Sequence, residues 1–338
     1  MKTIMKKVKI LLCLLVIVVL SNLACTKQLE LAPVSSISTA SFWKTEDDAN
    51  GAIYGMYARL RGVTASNLFI WGESRSQDLK QSVGNDFTNL RNFANTLDPT
   101  AAGPDWSSIY RVVDDANYIL KYVPGIKGFK SEDSKNRLLA EAYTMRAFCY
   151  FIMAKTWGGV PLVTDPTDGY DPSIIYKERA PVADVFALIK KDIDQAISLF
   201  PDNNFTTGRN RWSKPGANAL KGDVYLWTGK VLNGGNTDFT TALAALNNVD
   251  GSDVSLLSDY SRIFDYDNKG NKEIIMANNF LRFETGNTFM ANMYIDAFPP
   301  NPDPIAKGII GTIGGGNYWT PTDEIRNKFS ADDVRKAG

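Results

Sequence analysis

The chain has 338 residues, of which 44% are hydrophobic and 22% are charged, with 37 Lys and Arg balanced by 37 Asp and Glu. This composition is typical of a globular protein with enough apolar residues for one large domain or two. The balanced charge gives no sign of the basic surface that binds nucleic acids. Because the chain contains no histidine, it cannot form a Ser-His-Asp or Cys-His catalytic site.

The N-terminal segment has the organisation of a secretory signal peptide. Four lysines lie within Met1–Lys9, the run Ile10–Leu20 is entirely apolar, and Ala24 directly precedes Cys25. The apolar run is too short for an ordinary transmembrane helix, which needs about 20 apolar residues. We therefore predict a signal peptide over residues 1–24.

Cys25 follows the predicted cleavage position, which indicates processing as a bacterial lipoprotein. On this interpretation Cys25 becomes the lipidated first residue of the mature chain, because several acyl chains give the stable anchoring that one chain does not. Leu23 lies two residues before the cysteine, whereas the usual lipoprotein motif has leucine three residues before it. Ordinary signal cleavage with an incidental Cys25 is therefore the alternative. Residues 25–40 are predicted to be a polar tether to the membrane.

Six amphipathic helices are predicted from apolar residues that recur at helical spacing. Thr45 and Ser213 are good N-caps, and Pro181 is favoured in a first turn. The predicted helices run from Thr45 to Gly62, about Asp105 to Pro124, about Ser131 to Thr156, Pro181 to Pro201, Ser213 to about residue 230, and about Asp238 to Asn248. In the last helix the residues expected to face inward are Phe239, Ala242, Leu243 and Leu246.

These helices are expected to form pairs, with 138–156 against 181–199 and 214–230 against 238–248. Such pairs are typical of a tetratricopeptide-type stack, although no strict 34-residue period holds and an insert at 157–180 interrupts it. The predicted fold class is mainly α, with tetratricopeptide-like helical pairs followed by an irregular, loop-rich second region.

The pattern changes after residue 250. Glu273–Ala277 is a candidate for a short strand, and residues 280–320 are rich in Gly, Pro, Asn and aromatic residues with little helical periodicity. This composition is typical of long, ordered loops, in which binding sites concentrate.

One long helical pattern leads into a short extended exit. The run Ala140–Phe151 reads AEAYTMRAFCYF, and Trp157–Leu162 reads WGGVPL. Further motifs lie at Ser41–Ala49, Trp106–Asn117, Arg179–Ile193 and Pro321–Arg335. Together these motifs resemble the signature of SusD/RagB-like outer-membrane nutrient-binding lipoproteins, over nearly the whole mature chain.

The resemblance implies a function, a location and a partner. SusD-like proteins are surface lipoproteins of the outer membrane that cover a TonB-dependent, SusC-like transporter and bind a glycan or, in some members, a peptide for import. No bond is made or broken, so the resemblance implies no catalytic residue, cofactor or metal.

The resemblance also implies two regions in the mature chain. The first is a helical domain over residues 41–250, and the second is the start of a loop-rich C-terminal region over residues 251–338. Because family members usually continue well past the positions of Asp333 and Arg335, we expect the second region to be truncated.

Glycan binding needs exposed aromatic rings beside planar polar groups, because sugar C–H faces stack on rings while hydroxyls take hydrogen bonds. Most of the 7 Trp, 14 Tyr and 17 Phe lie on helical stripes or in other apolar runs and are expected in the core. The candidate ligand-binding residues lie in loops outside these stripes, and they are Trp71, Asp78, Phe93, Asn95, Tyr294, Tyr318 and Trp319.

Two alternatives to glycan capture follow from the same sequence. A helical-repeat scaffold would bind only protein or peptide partners and would give no small-ligand signal. A surface glycosidase would need a pocket with two carboxyl groups within about 10 Å of each other, and it would turn glycans over.

Overall fold

The computed structural model describes residues 42–76, 78–81, 98, 105–169, 172–280 and 319–333. Outside these residues lie the predicted signal peptide and tether, Cys25, and the candidates Phe93, Asn95, Tyr294 and Tyr318. The chain divides into two compact units, residues 1–44 and 45–338. In the first unit, the rings of Phe42 and Trp43 meet edge to face at 4.9 Å.

The second unit is mainly helical, as predicted. Its helices within the described residues are α1 Glu46–Thr64, α2 Asn67–Trp71, α3 Ser107–Tyr122, α4 Glu132–Trp157, α5 Pro172–Ile175, α6 Val182–Leu199, α7 Lys214–Val231, α8 Gly235–Asp250 and α9 Asp323–Lys328. Two short strands, β1 Leu79–Gln81 and β2 Trp319–Pro321, pair in antiparallel fashion. In this ladder Gln81 lies opposite Trp319 and Leu79 lies opposite Pro321.

Helix starts follow local sequence signals. At the start of α1, the Thr45 hydroxyl accepts from the backbone N–H of Asp48, and the Asp48 carboxylate accepts from the backbone N–H of Thr45. Ser131 and Ser213 are the corresponding capping residues of α4 and α7. These side chains satisfy backbone N–H groups that have no partner within the helix, so the predicted starts are confirmed.

The predicted end of α1 at Gly62 is wrong, because the helix continues to Thr64. A glycine in a helix interior costs only about 0.5–1 kcal/mol relative to alanine. Burial of Val63 on the following position offsets that cost.

The predicted helix pairs are confirmed. α4 packs against α6 and also against α3, α3 packs against α1, and α7 packs against α8 and α6. The core between them contains fully buried side chains from each of the longer helices, including Ile53, Met56, Ile109, Met145, Tyr150, Ile189 and Val224.

The buried face of α8 agrees with the prediction at Ala242 and differs from it at Leu243. Its buried residues are Ala242, Ala245 and Val249. Leu243 is 60% exposed, while Phe239 and Leu246 are partly exposed at the edge of the interface. A Cβ on Gly222 would overlap the Leu246 side chain. A Cβ on Gly229 would likewise overlap the Phe239 ring. Phe239 and Leu246 therefore pack on glycines of α7 at the edge of the interface, whereas Leu243 faces away from it.

Glu273–Ala277 is not a strand, contrary to the prediction. The backbone N–H of Ala277 donates to the carbonyl oxygen of Arg209 at 3.0 Å, and the carbonyl of Ile274 accepts from the Arg209 guanidinium at 2.9 Å. Backbone groups of this segment therefore bind the loop before α7 rather than a neighbouring strand.

Two glycines follow α4, and each is needed for a different structural reason. Gly158 has a φ of 75°, in the left-handed region that favours glycine. A Cβ on Gly159 would collide with the carbonyl oxygen of Ala180, just before α6. Arg179 donates to the carbonyl of Gly159 at 2.6 Å and fixes this close approach.

A buried ion pair connects the central helices. Arg146 of α4 donates to both carboxylate oxygens of Asp192 of α6, at 2.7 and 2.8 Å. The same guanidinium donates to the side-chain oxygen of Asn117 of α3 at 2.9 Å. Asn117 in turn donates to the carbonyl of Val163 at 3.0 Å. One guanidinium therefore fixes three helices and, through Asn117, the segment that leaves α4.

Replacing Asp192 with Asn should lower the free energy of unfolding by about 3–5 kcal/mol, because the charge of Arg146 stays buried without its counter-ion. The matched control is Asp194→Asn on the same helix, which removes an exposed ion pair with Lys221. That control should cost no more than about 1 kcal/mol. Urea unfolding followed by circular dichroism measures both, and equal losses would contradict a special role for the buried pair.

Candidate functional site

Trp71 ends helix α2 and does not lie in an open loop. Its side chain is 9% exposed. Its ring meets the ring of Trp157 edge to face at 5.0 Å, and Trp157 meets Trp106 at 5.7 Å. The expectation that Trp71 presents an exposed ring is therefore wrong, because these neighbouring rings cover it.

Trp319 is also buried, contrary to the prediction, with 2% of its side chain exposed. It begins β2 and stacks on Phe69 of α2, with the two ring centroids 4.3 Å apart. Asp78 lies at the other strand of this ladder, where its carbonyl accepts from the backbone N–H of Thr322 at 2.8 Å. The structure thus brings Asp78 and Trp319 to one ladder, but of the two only Asp78 is exposed.

A polar cavity of about 570 Å³ lies elsewhere in the second unit, between α1, the loop before α7 and residues 278–279. Cavities that bind small molecules typically measure about 300–1,000 Å³. The described residues that line it are Tyr54, Tyr57, Ala58, Arg61, Thr206, Thr207, Asn210, Arg211, Asn278 and Asn279. Amides, hydroxyls and guanidinium groups therefore surround a cavity that also contains aromatic rings.

Tyr54 is the exposed ring of the cavity. Its side chain is 59% exposed, and the Arg211 guanidinium lies 5.4 Å from the ring centroid, within the range of a cation–π contact. Tyr54 points away from the buried stripe of α1, which consists of Ala49, Ile53, Met56, Leu60 and Val63. The ring is thus held on a rigid helix without being covered by the core.

Arg211 is fixed from behind by a buried carboxylate. Its Nε and Nη2 atoms donate to the two oxygens of Glu141 at 2.8 and 2.7 Å. The Tyr57 hydroxyl donates to Glu141 at 2.9 Å and accepts from the backbone N–H of Trp212 at 2.6 Å. Glu141 is completely buried on α4, so the central helix also supports the wall of the cavity.

Burial dominates the protonation of this cluster. It raises the pKa of the Tyr57 hydroxyl well above its ordinary value, and the nearby Glu141 charge raises it further. Tyr57 therefore keeps the proton that it donates. Burial also raises the pKa of the Glu141 carboxyl, while the charge and hydrogen bonds of Arg211 oppose that shift.

The loop that carries Asn210 and Arg211 is anchored to the segment after α8. Gly208 has a φ of 78°, and a Cβ on Gly270 would collide with the backbone of Gly208. Arg209 donates to the carbonyl oxygen of Asp253 at 2.6 Å. Two glycines and one buried arginine thus hold the loop against a segment more than forty residues later.

The other side of the cavity is joined to α1 in a similar way. Asn278 donates to the Thr64 hydroxyl at 2.6 Å, and Arg61 donates to the carbonyl of Asn279 at 3.4 Å. The sequence interpretation missed this cavity, because its residues come from three distant segments. The one available signal was Tyr54, an aromatic residue off the apolar stripe of its helix.

Residues 38–226 match a SusD-like family model, which is described as starch-binding and associating with the outer membrane. This stretch includes α1, α4 and its exit, the buried pair of Arg146 and Asp192, and the Arg211 wall of the cavity. The chain belongs to the SusD-like family.

Curated SusD-like proteins are similar to this chain over much of its length. SusD-like protein P38 of Formosa agariphila is 29% identical over 226 residues, which cover 66% of this chain and 42% of that protein. A SusD-like protein of Bacteroides ovatus is 28% identical over 262 residues, which cover 75% of this chain and 46% of that protein. The chain spans about half the length of the curated relatives it matches.

Solved structures show the same architecture. NanU of B. fragilis is 33% identical with a TM-score of 0.70, over 79% of this chain and 54% of that one. A SusD superfamily protein of Bacteroides vulgatus is 28% identical with a TM-score of 0.76, over 87% and 63%. A laminarin-binding SusD-like protein, 22% identical with a TM-score of 0.63 over 84% and 64%, shares the fold.

The SusD-like motifs coincide with the buried polar contacts. Glu141 and Arg146 belong to the helix motif, while Asn117 and Asp192 belong to the motifs of α3 and α6. Each of these side chains therefore connects α4 to another helix or to the loop before α7. In the part of the chain that the structure describes, no helix is both long and apolar enough to cross a membrane.

Replacing Tyr57 with Phe should lower the free energy of unfolding by about 1–3 kcal/mol, because Glu141 and the N–H of Trp212 each lose a buried partner. The matched control is Tyr54→Phe on the same helix. Its hydroxyl has no hydrogen-bond partner among the described residues, so the change should stay within about 0.5 kcal/mol. Chemical denaturation compares the two variants, and equal effects would show that the Tyr57 hydroxyl does not support the cluster.

Proposed function

We propose that this SusD-like chain is a lipid-anchored protein of the outer membrane that captures a glycan and passes it to a TonB-dependent, SusC-like transporter. The observation that carries the proposal is the family match over residues 38–226, because it includes the helical frame and one wall of the polar cavity. A cavity that combines a ring with amides and a guanidinium suits a ligand that has both C–H faces and hydroxyls.

The proposal includes binding without turnover. Glu141, the carboxylate that backs the cavity, has both oxygens engaged by Arg211, and one of them also accepts from Tyr57. A carboxyl held in this way is suited to positioning its neighbours, whereas a catalytic acid must release a proton to the substrate. The curated relatives of this chain also have the name SusD-like protein.

The N-terminal and C-terminal assignments belong to the same proposal. Residues 1–24 would be removed as a signal peptide, Cys25 would carry the lipid, and residues 25–40 would form the tether. The helical domain would cover residues 41–250, and residues 251–338 would begin the loop-rich region. The candidate ligand residues outside the described part of the chain, Phe93, Asn95, Tyr294 and Tyr318, stay predictions.

A second candidate function is a scaffold that binds only protein partners, and one observation favours it. The exposed side of the α7–α8 pair carries the apolar side chains of Leu226, Val231 and Leu243. Apolar patches of this kind on soluble surfaces often mark interaction sites. In a lid on a transporter, the same face could contact the partner, so ligand binding decides between the two functions.

Binding to an array of immobilised glycans tests the proposed function. The full chain, purified in detergent, should bind at least one glycan and should leave the reducing-end content of that glycan unchanged after prolonged incubation. Turnover would support the glycosidase. If the chain binds no glycan but binds peptides on a parallel array, the result would support the scaffold and contradict glycan capture.

Cys25→Ser tests the lipid anchor separately. In cells fed radiolabelled palmitate, the wild-type chain should incorporate label and fractionate with the outer membrane, because its acyl chains partition into the bilayer. The variant should lose the label and leave the membrane fraction. The matched control is Cys149→Ser, which changes a buried cysteine in α4 and should keep the label. Equal labelling of both variants would exclude Cys25 as the attachment site.

A further inference from the structure

We propose that the cavity between α1, the loop before α7 and Asn279 is the binding site for a short neutral saccharide, with the Tyr54 ring as its stacking surface. This inference rests on the proposed function, because it assumes that the chain binds a glycan. It differs from the sequence prediction, which placed the site in the loops around Trp71, Asp78 and Trp319.

The ring of Tyr54 is exposed to solvent, whereas the predicted ligand-binding rings of Trp71 and Trp319 are buried. A sugar ring can stack only on an aromatic face that solvent reaches. Tyr54 meets this requirement at 59% exposed, whereas Trp71 and Trp319 are 9% and 2% exposed. Tyr54 also lies on a helix of 19 residues, so its backbone position is fixed before any ligand arrives.

Hydrogen-bonding groups with no partner among the described residues line the same cavity as the Tyr54 ring. Two nitrogens of Arg211 are engaged by Glu141, which leaves Nη1 to donate to a ligand. The side-chain nitrogen of Asn210 and the carboxamide of Asn279 have no hydrogen-bond partner in the described ranges of the chain. A guanidinium and two amides are planar groups that can bind adjacent hydroxyls of a sugar.

The charge of Arg211 is already matched by Glu141, so this side chain does not require an anionic ligand. Glu141 accepts two hydrogen bonds from Arg211 in a bidentate pair, and the carboxylate is completely buried. A bidentate pair of this kind fixes the plane of the guanidinium. Arg211 can therefore direct a hydrogen bond into the cavity without requiring an anion there.

Both walls of the site are also formed in advance. Asn278 and Arg61 bind the segment near Asn279 to α1, and Arg209 holds the loop that carries Asn210. A site whose groups are already in place loses little conformational entropy when the ligand binds. The fold thus supplies a stacking ring and polar groups in a cavity of about 570 Å³.

The test uses maltotriose and laminaritriose with the full chain purified in detergent, by isothermal titration calorimetry. The wild-type chain should bind at least one of them. Tyr54→Ala should weaken binding roughly tenfold, because it removes the stacking surface. Asn279→Ala should weaken it roughly threefold to tenfold through the loss of hydrogen bonds to the ligand. The matched control is Tyr266→Ala, which removes a 70% exposed tyrosine outside the cavity lining and should leave affinity unchanged.

Three other results would each contradict a different part of the proposal. If Tyr54→Ala and Asn279→Ala bind as tightly as wild type, the cavity is not the saccharide site, although glycan capture still holds. If the wild-type chain binds neither trisaccharide and binds only charged glycans on the array, the assignment to a neutral saccharide is wrong. If no glycan binds on the array, the proposed function fails and this inference fails with it. Chemical denaturation of each variant confirms that the binding changes do not come from unfolding.

Discussion

The structure depends on the buried guanidinium of Arg146. A charge that is out of contact with water must have its counter-ion and hydrogen-bond partners in fixed positions, because leaving it unpaired costs several kcal/mol. Asp192 and Asn117 supply those partners from α6 and α3. The positions of α3, α4, α6 and the segment after α4 are therefore coupled, and apolar packing alone would not fix their register so narrowly.

Helix α4 connects the buried ion pair of Arg146 to the wall of the cavity. Arg146 and Glu141 lie on different sides of the helix, since five residues correspond to a rotation of about 140°. Arg146 fixes the neighbours α3 and α6, whereas Glu141 fixes Tyr57 of α1 and Arg211 before α7. One helix of 26 residues therefore positions both the frame and one wall of the cavity. Side chains inside a buried helix therefore determine the geometry of a cavity at the surface.

Much of the fold could be predicted because its signals are local. The caps at Thr45, Ser131 and Ser213 and the apolar stripes depend on residues within one or two turns. The failures involve partners distant in sequence. The face of α8 was set by glycines of α7, and residues 273–277 bind Arg209 rather than a strand. The cavity could not be predicted for the same reason, since α1, the loop before α7 and Asn279 meet only in the folded chain.

The burial of Trp71 and Trp319 shows that these two rings contribute to the folded structure of this SusD-like chain. Trp319 stacks on Phe69, 250 positions earlier in the sequence, so the ring contributes to holding β2 and the start of α9 against α2. A ring used in this way is removed from water and gains its stabilisation from contact with protein, so it has no face left for a ligand. Tyr54 differs from both tryptophans, because its ring is exposed and the buried stripe of α1 fills the core without it. An exposed ring is a weak contributor to stability, so the position of Tyr54 in a polar cavity is the observation on which the proposed saccharide site rests.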